Sequence, residues 1–142
     1  MREFLRDVES AFHELMESGK LNIASSRDDP LTFGNADVLL VGATFRLRML
    51  CDRGDTSSDI ASNALPNDWS PLERVLQAVG AVGVPEEGLL SPAQAARLVE
   101  QHFDTLNQGL SEANLGETRN RLSEIKRSRL ELASSRLKPG GH

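Results

Sequence analysis

The sequence predicts an α+β fold: an N-terminal helix, a small antiparallel β-meander of three to four strands, then three C-terminal helices. Three observations carry that expectation. Apolar residues recur at three- and four-residue spacing up to Gly19, they alternate from Thr44 to Asp52, and they return to helical spacing after Ser70. Residues 1–138 form one expected domain, and 139–142 (PGGH) read as a linker running into a tag.

Residues 2–18 make the first expected helix. Phe4, Leu5, Val8, Phe12, Leu15 and Met16 share one side, and Glu3, Asp7, Glu9, Glu14 and Glu17 share the other. Gly19 is placed to stop it, because glycine adopts the left-handed cap conformation without a Cβ clash. Leu21 to Ser26 follows as a short strand and Arg27 to Pro30 as a polar turn. Ala36 to Gly42 is nearly all apolar, which suits a strand covered on both faces.

Thr44 to Asp52 differs. Phe45, Leu47, Met49 and Cys51 fall on one face, and Thr44, Arg46, Arg48 and Asp52 on the other. That alternation marks an antiparallel strand with one face on the core and one towards solvent or a partner. Asp52-Arg53-Gly54-Asp55 is turn chemistry, with glycine available for a positive φ. Thr56 to Ser62 returns as a polar strand with Ile60 as its large apolar residue, and it reads as a sheet edge.

The C-terminal half is helical. Ser70-Pro71-Leu72-Glu73 offers a cap, a first-turn proline and a capping-box glutamate. That helix ends near Gly80, residues 81–90 form a loop, and Ser91-Pro92 opens the second helix. Its stripe is Ala95, Val99, Phe103, Leu106 and Leu110. Gly109 interrupts it, and Ser111 begins the third. There Leu115, Leu122, Ile125 and Leu132 recur at heptad-like spacing, too briefly to establish a coiled coil.

Composition narrows the function classes. The chain of 142 residues is 39% hydrophobic and 26% charged, ordinary for a globular protein rather than a disordered one. No run of ~18 apolar residues suits a membrane span, and a single cysteine fits a reducing cytoplasm. The net charge of −5 is uneven: residues 1–118 hold 19 acids against 9 basic residues, and residues 119–142 hold 7 basic residues against 2 acids. The acidic body opposes nucleic-acid binding. The basic end suits the last turns of a helix, where cations complement the dipole, with a nucleic-acid arm as the other reading.

Catalytic machinery is poorly supported, and no metal or cofactor is expected. Cys51, His13 and His102 have no metal-ligand spacing, and His102 lies beside an apolar helical stripe. Cys51 sits on the expected core face, where a cysteine acts as a small hydrophobe rather than a thiolate. Gly80, Gly83 and Gly88 lack phosphate-loop context. Asp52, Asp55 and Asp59 cluster at one hairpin, but one tryptophan and no tyrosine equip the chain poorly for sugar chemistry. Arg53-Gly54-Asp55 spells an adhesion signal and reads better as the turn itself.

What remains is a surface. Asp28, Asp29, Asp52, Asp55, Asp59 and Asp68 can together present negative potential, with Arg46, Arg48 and Arg53 displayed among them. Trp69 is either an interface anchor or a staple packing the following helix on the sheet.

The run FRLRMLCDRGDTSSDIAS followed by NDWSPLERVLQAVG, spanning Thr44 to Gly80, resembles small bacterial immunity proteins. Their pattern is an alternating strand, an Asp-Arg-Gly turn, a polar strand, and an Asp-Trp before a short helix. Thr56-Ser57-Ser58 is more polar than that pattern. The resemblance implies a cytoplasmic protein that neutralises the toxin domain of a contact-dependent growth inhibition system by binding it. A basic nuclease domain is the expected partner, with no nucleic acid or membrane contact. The alternatives are a helical adaptor that dimerises or docks through residues 111–137, and an enzyme using the hairpin carboxylates.

Overall fold

The computed structural model describes residues 2–29, 35–81, 83–84 and 90–137; for 2, 28, 29 and 134–137 only the backbone path is described. In chain order the elements are α1 (Arg2–Ala11), α2 (His13–Glu17), β1 (Asn22–Asp29), β2 (Asn35–Val41), β3 (Phe45–Asp52), β4 (Asp55–Ser62), β5 (Ser70–Pro71), α3 (Leu72–Ala78), α4 (Pro92–Gln101), α5 (Phe103–Gly109) and α6 (Leu115–Leu137). The fold is α+β. Its five strands form one antiparallel sheet in the order β1-β2-β3-β4-β5, so each strand pairs with its neighbour in sequence.

The expected N-terminal helix is two segments meeting at Phe12. Hydrogen bonding continues through the junction, from the Phe12 N–H to the Val8 carbonyl and from the Met16 N–H to the Phe12 carbonyl, both 2.9 Å. Phe12 itself is fully buried. Gly19 has φ +77°, and the Lys20 N–H closes back on the Leu15 carbonyl at 3.0 Å, the glycine stop that the sequence indicates.

β1 corrects the turn expected from Arg27 onward. The strand continues through Asp29, because Arg27, Asp28 and Asp29 pair in register with Asp37, Ala36 and Asn35. Pro30 lies outside the described residues. β2 is not covered on both faces. Ala36, Val38 and Leu40 are buried while Asp37, Leu39 and Val41 are half-exposed. β3 behaves as its alternation requires, with Phe45, Leu47 and Met49 fully buried and Cys51 half-buried against the core.

β4 overturns the edge-strand reading. β5 pairs with it at Asp59–Pro71 and Ile60–Ser70, and two of the three β4 serines are on the core side. Ser58 and Ser62 are buried; the Ser58 hydroxyl lies 3.3 Å from Met49 Sδ, and the Ser62 hydroxyl donates to the Leu110 carbonyl at 2.7 Å. Thr56 likewise donates to the Leu90 carbonyl at 2.7 Å. Buried hydroxyls are tolerated when each finds a partner, and these two carbonyls lie beside helix ends. A strand that is polar in sequence therefore fastens the helices to the sheet.

The same bridge removes the expected cap at Ser70. Ser70 and Pro71 are strand, and Pro71 stands at the N-cap of α3 with no side-chain cap bond. The capping box instead opens α4: Ser91 Oγ accepts from the Gln94 N–H at 3.2 Å, and Gln94 Oε1 accepts from the Ser91 N–H at 2.9 Å. The described residues hold four C-terminal helices rather than three, because His102 (φ −114°, ψ 23°) separates α4 from α5. Residues 82 and 85–89 of the expected loop, and the tail from 138, lie outside the described residues.

The core lies between the inner sheet face and the helices. It joins Val8 and Phe12 with Leu40, Phe45, Leu47 and Ile60, and with Leu72, Leu76, Val99 and Leu106. Phe45 and Phe103 meet at 5.5 Å between ring centroids with a 54° tilt, a tilted aromatic arrangement.

Candidate functional site: the half-exposed sheet face

Cross-strand register gathers one set of side chains on the face opposite the core. Arg46 lies opposite Ala61, Arg48 opposite Asp59, Leu50 opposite Ser57 and Asp52 opposite Asp55. On β2, Asp37, Leu39 and Val41 join the same face opposite Leu50, Arg48 and Arg46. Leu39, Val41 and Leu50 are half-exposed and alternate with charged side chains, each standing opposite one of them across the β2–β3 ladder.

Arg48 anchors one flank. Its Nη2 donates to Asp59 Oδ2 at 3.0 Å, and its guanidinium carbon lies 4.4 Å from the Trp69 ring centroid. The pair combines a charge-assisted hydrogen bond with a cation–π contact, so the planar guanidinium is held by its edge and its face. Its Nε is buried without a hydrogen-bond partner. Trp69 is half-buried, and Arg48 occupies a face of its ring. The indole thus packs on a cation of the sheet.

Arg46 is held by a different device. Its Nε donates to Asn63 Oδ1 at 3.2 Å, while Asn63 Nδ2 donates to the Gly42 carbonyl at 2.8 Å. The opposite flank carries Arg27, which the sequence reading did not single out. Its Nε and Nη2 each lie 3.2 Å from Asp37 Oδ2, directly across the β1–β2 ladder.

The hairpin tip projects beyond this face. Arg53 (φ +53°) and Gly54 (φ +87°) both adopt positive φ, the two-residue turn whose twist matches paired strands. A left-handed arginine was not foreseen; the Arg53 N–H donates to Asn35 Oδ1 at 3.3 Å. Asp52, Arg53 and Asp55 are all exposed, and among the described residues neither aspartate has an ion-pair partner.

The ten sequence candidates therefore separate. Arg46, Arg48, Asp52, Asp55 and Asp59 share the face, Trp69 packs on Arg48, and Arg53 sits at the tip. Asp68 lies apart and pairs with Arg119 of α6 at 3.1 Å. Asp28 and Asp29 are placed in β1 by their backbone, and their side chains lie outside the described residues. Two of the acids, Asp59 and Asp68, are matched within the chain itself, which lowers the negative potential available from them.

The groups weighed for catalysis are dispersed. His13 is exposed beside Glu17 at 3.7 Å, and His102 is half-buried at the α4–α5 junction with Nε2 unpartnered. Among the described residues no three of His, Cys, Asp and Glu are placed to hold a metal ion. No described helix is long and apolar enough to cross a membrane. Comparison with known proteins finds no matching family model, no matching curated protein and no matching solved structure.

Proposed function

We propose that this chain is an immunity protein: it binds the toxin domain of a contact-dependent growth inhibition system in the cytoplasm and occludes its active or substrate-binding site. The observation that carries the reading is the sheet face, where Leu39, Val41 and Leu50 are flanked by Arg46, the Arg48–Asp59 pair and Trp69. Half-exposed aliphatic side chains set among hydrogen-bonded polar ones suit a protein interface. Asp52 and Asp55 at the exposed tip would meet Lys or Arg in the substrate site of a basic nuclease, with no catalytic step by this chain.

Co-purification with the product of an adjacent toxin gene tests this, together with protection of cells expressing that toxin. Asp52→Lys/Asp55→Lys should weaken the complex by about tenfold or more through reversed charge, with circular dichroism unchanged. No complex at micromolar concentration, and no protection, would end the reading.

A second reading has one observation of its own. Leu130 and Leu132 on α6 are 62% and 55% exposed; two positions apart, they lie on different sides of the helix, and each is open to the docking partner of a helical adaptor. Leu130→Glu/Leu132→Glu should then abolish self-association in sedimentation while leaving toxin binding intact.

A further inference from the structure

A groove of about 610 Å³ runs between the segment Asp68–Pro71, α3 and α6, on the flank of the sheet. Its walls include Asp68, Trp69, Arg74, Arg119, Ser123 and Lys126. Three cations and one carboxylate line it, in a chain whose residues 1–118 carry 19 acids against 9 basic residues. Arg119 and Lys126 come from the basic end, where residues 119–142 hold 7 basic residues against 2 acids, and Arg74 adds a third cation from the acidic body.

The cations come from two elements. Arg119 and Lys126 are seven residues apart on α6, two turns along one stripe, with Ser123 between them, and Arg74 faces them from α3. Asp68 engages Arg119 at 3.1 Å, with the two side chains 50% and 54% exposed. Ion pairs of that exposure are weak, so an incoming carboxylate can share Arg119 at little cost. Among the described residues Arg74 and Lys126 have no ion-pair partner at all.

We propose that this groove docks an acidic peptide segment of a protein partner. Its volume lies within the range of binding clefts and exceeds what a single inorganic anion fills. Two features favour peptide over nucleic acid. The net charge of −5 on the whole chain opposes an extended polyanion, whereas a short acidic segment places its charge only where the cations are. Base stacking could use one face of Trp69 at most, since Arg48 covers the other at 4.4 Å, and among the described residues no other aromatic side chain lines the groove. The groove shares Trp69 with the sheet face, but Arg74, Arg119 and Lys126 belong to neither that face nor the hairpin, so variants at these three separate the two readings.

Trp69 is the sole tryptophan and the chain has no tyrosine, so its emission reports directly on the groove. The full chain is titrated with a decapeptide of alternating Glu and Gly, with its Lys counterpart, and with a dT decamer, following Trp69 emission and calorimetric heat. The expected result is saturable binding of the Glu peptide that fades with added salt. It should weaken by about tenfold in Arg74→Glu/Lys126→Glu and less in Arg74→Gln/Lys126→Gln, each checked for folding by circular dichroism. Four results would overturn the proposal: neither emission change nor heat with the Glu peptide, equal affinity in the double variants, equal affinity for the Lys peptide, or tighter binding of the dT decamer. Toxin binding through the sheet face would survive the groove variants, so failure of one reading is distinguishable from failure of the other.

Discussion

Gly109→Ala sets two effects of opposite sign against each other. Gly109 ends α5 and is not among the positive-φ glycines, so its backbone accepts alanine without conformational strain. A helical Gly→Ala exchange ordinarily stabilises by ~0.5–1 kcal/mol. Here the added Cβ would run into Val79 Cγ1 and stand 3.3 Å from Val79 Cβ and 3.4 Å from Thr118 Oγ1. Val79 is β-branched with a stiff χ1, and the Gly109 carbonyl already accepts from Thr118 Oγ1 at 2.6 Å, so neither wall yields freely. Overpacking of this kind costs ~1–3 kcal/mol, which set against the helix gain leaves a net loss of up to ~2.5 kcal/mol, centred near ~1 kcal/mol. For a domain of this size the midpoint should fall by a few degrees, at ~2–4 °C per kcal/mol. Thermal and urea unfolding of Gly109→Ala, Val79→Ala and the double variant measure it, with a coupling of ~1 kcal/mol expected as the second substitution relieves the first. A Gly109→Ala protein as stable as the parent, or additive behaviour in the double variant, would refute the close-approach argument.

Three further outcomes follow from other contacts. Ser62→Ala leaves the buried Leu110 carbonyl and the Ala64 N–H without the hydroxyl that now serves both, and should cost ~1–3 kcal/mol in urea unfolding. Arg48→Met removes the half-exposed Asp59 pair and the Trp69 contact together; a loss of ~1–2 kcal/mol and a shift in Trp69 emission are expected. Glu100 has its carboxyl held above the usual 4.5 chiefly by a side-chain hydrogen bond with Glu14, and next by repulsion from that group. A raised folded pKa gives stability that is present below the ordinary value and lost as pH rises through the folded one. Glu100→Gln should therefore raise the melting temperature at pH 7, and the difference from the parent should narrow as pH falls towards 4.5.

Local periodicity made much of the fold legible. Phe45, Leu47 and Met49 are buried where alternation puts them, Gly19 stops its helix, and Ser91-Pro92 opens α4. What periodicity missed depends on partners distant in sequence. β4 read as an edge because serines look solvent-seeking, but Ser62 finds its acceptor at Leu110 and Thr56 at Leu90. Ser70 had the letters of a cap, and pairing with Ile60 claimed it for the sheet instead. For the candidate site, alternation put Arg46 and Arg48 on one face correctly. It could not show that Asp59 and Asp68 are already matched by Arg48 and Arg119, since those pairings come from register and from helix docking. The groove around Trp69 was invisible for the same reason, being assembled from α3 and α6 only in three dimensions.

The sequential strand order has a consequence for how the molecule comes together. Each ladder from β1 to β4 closes a short connection, so the main sheet needs little loop-closure entropy to form. The costly closures belong to the helical layer, where α4 must return to α1, and Leu90 and Leu110 must reach Thr56 and Ser62. During synthesis the chain through Ser62 would already carry every long strand, with Phe45, Leu47, Met49 and Ile60 still lacking α4 and α5 above them. Folding speed and aggregation risk should therefore turn on residues 90–110: the last cover to arrive closes the first surface made.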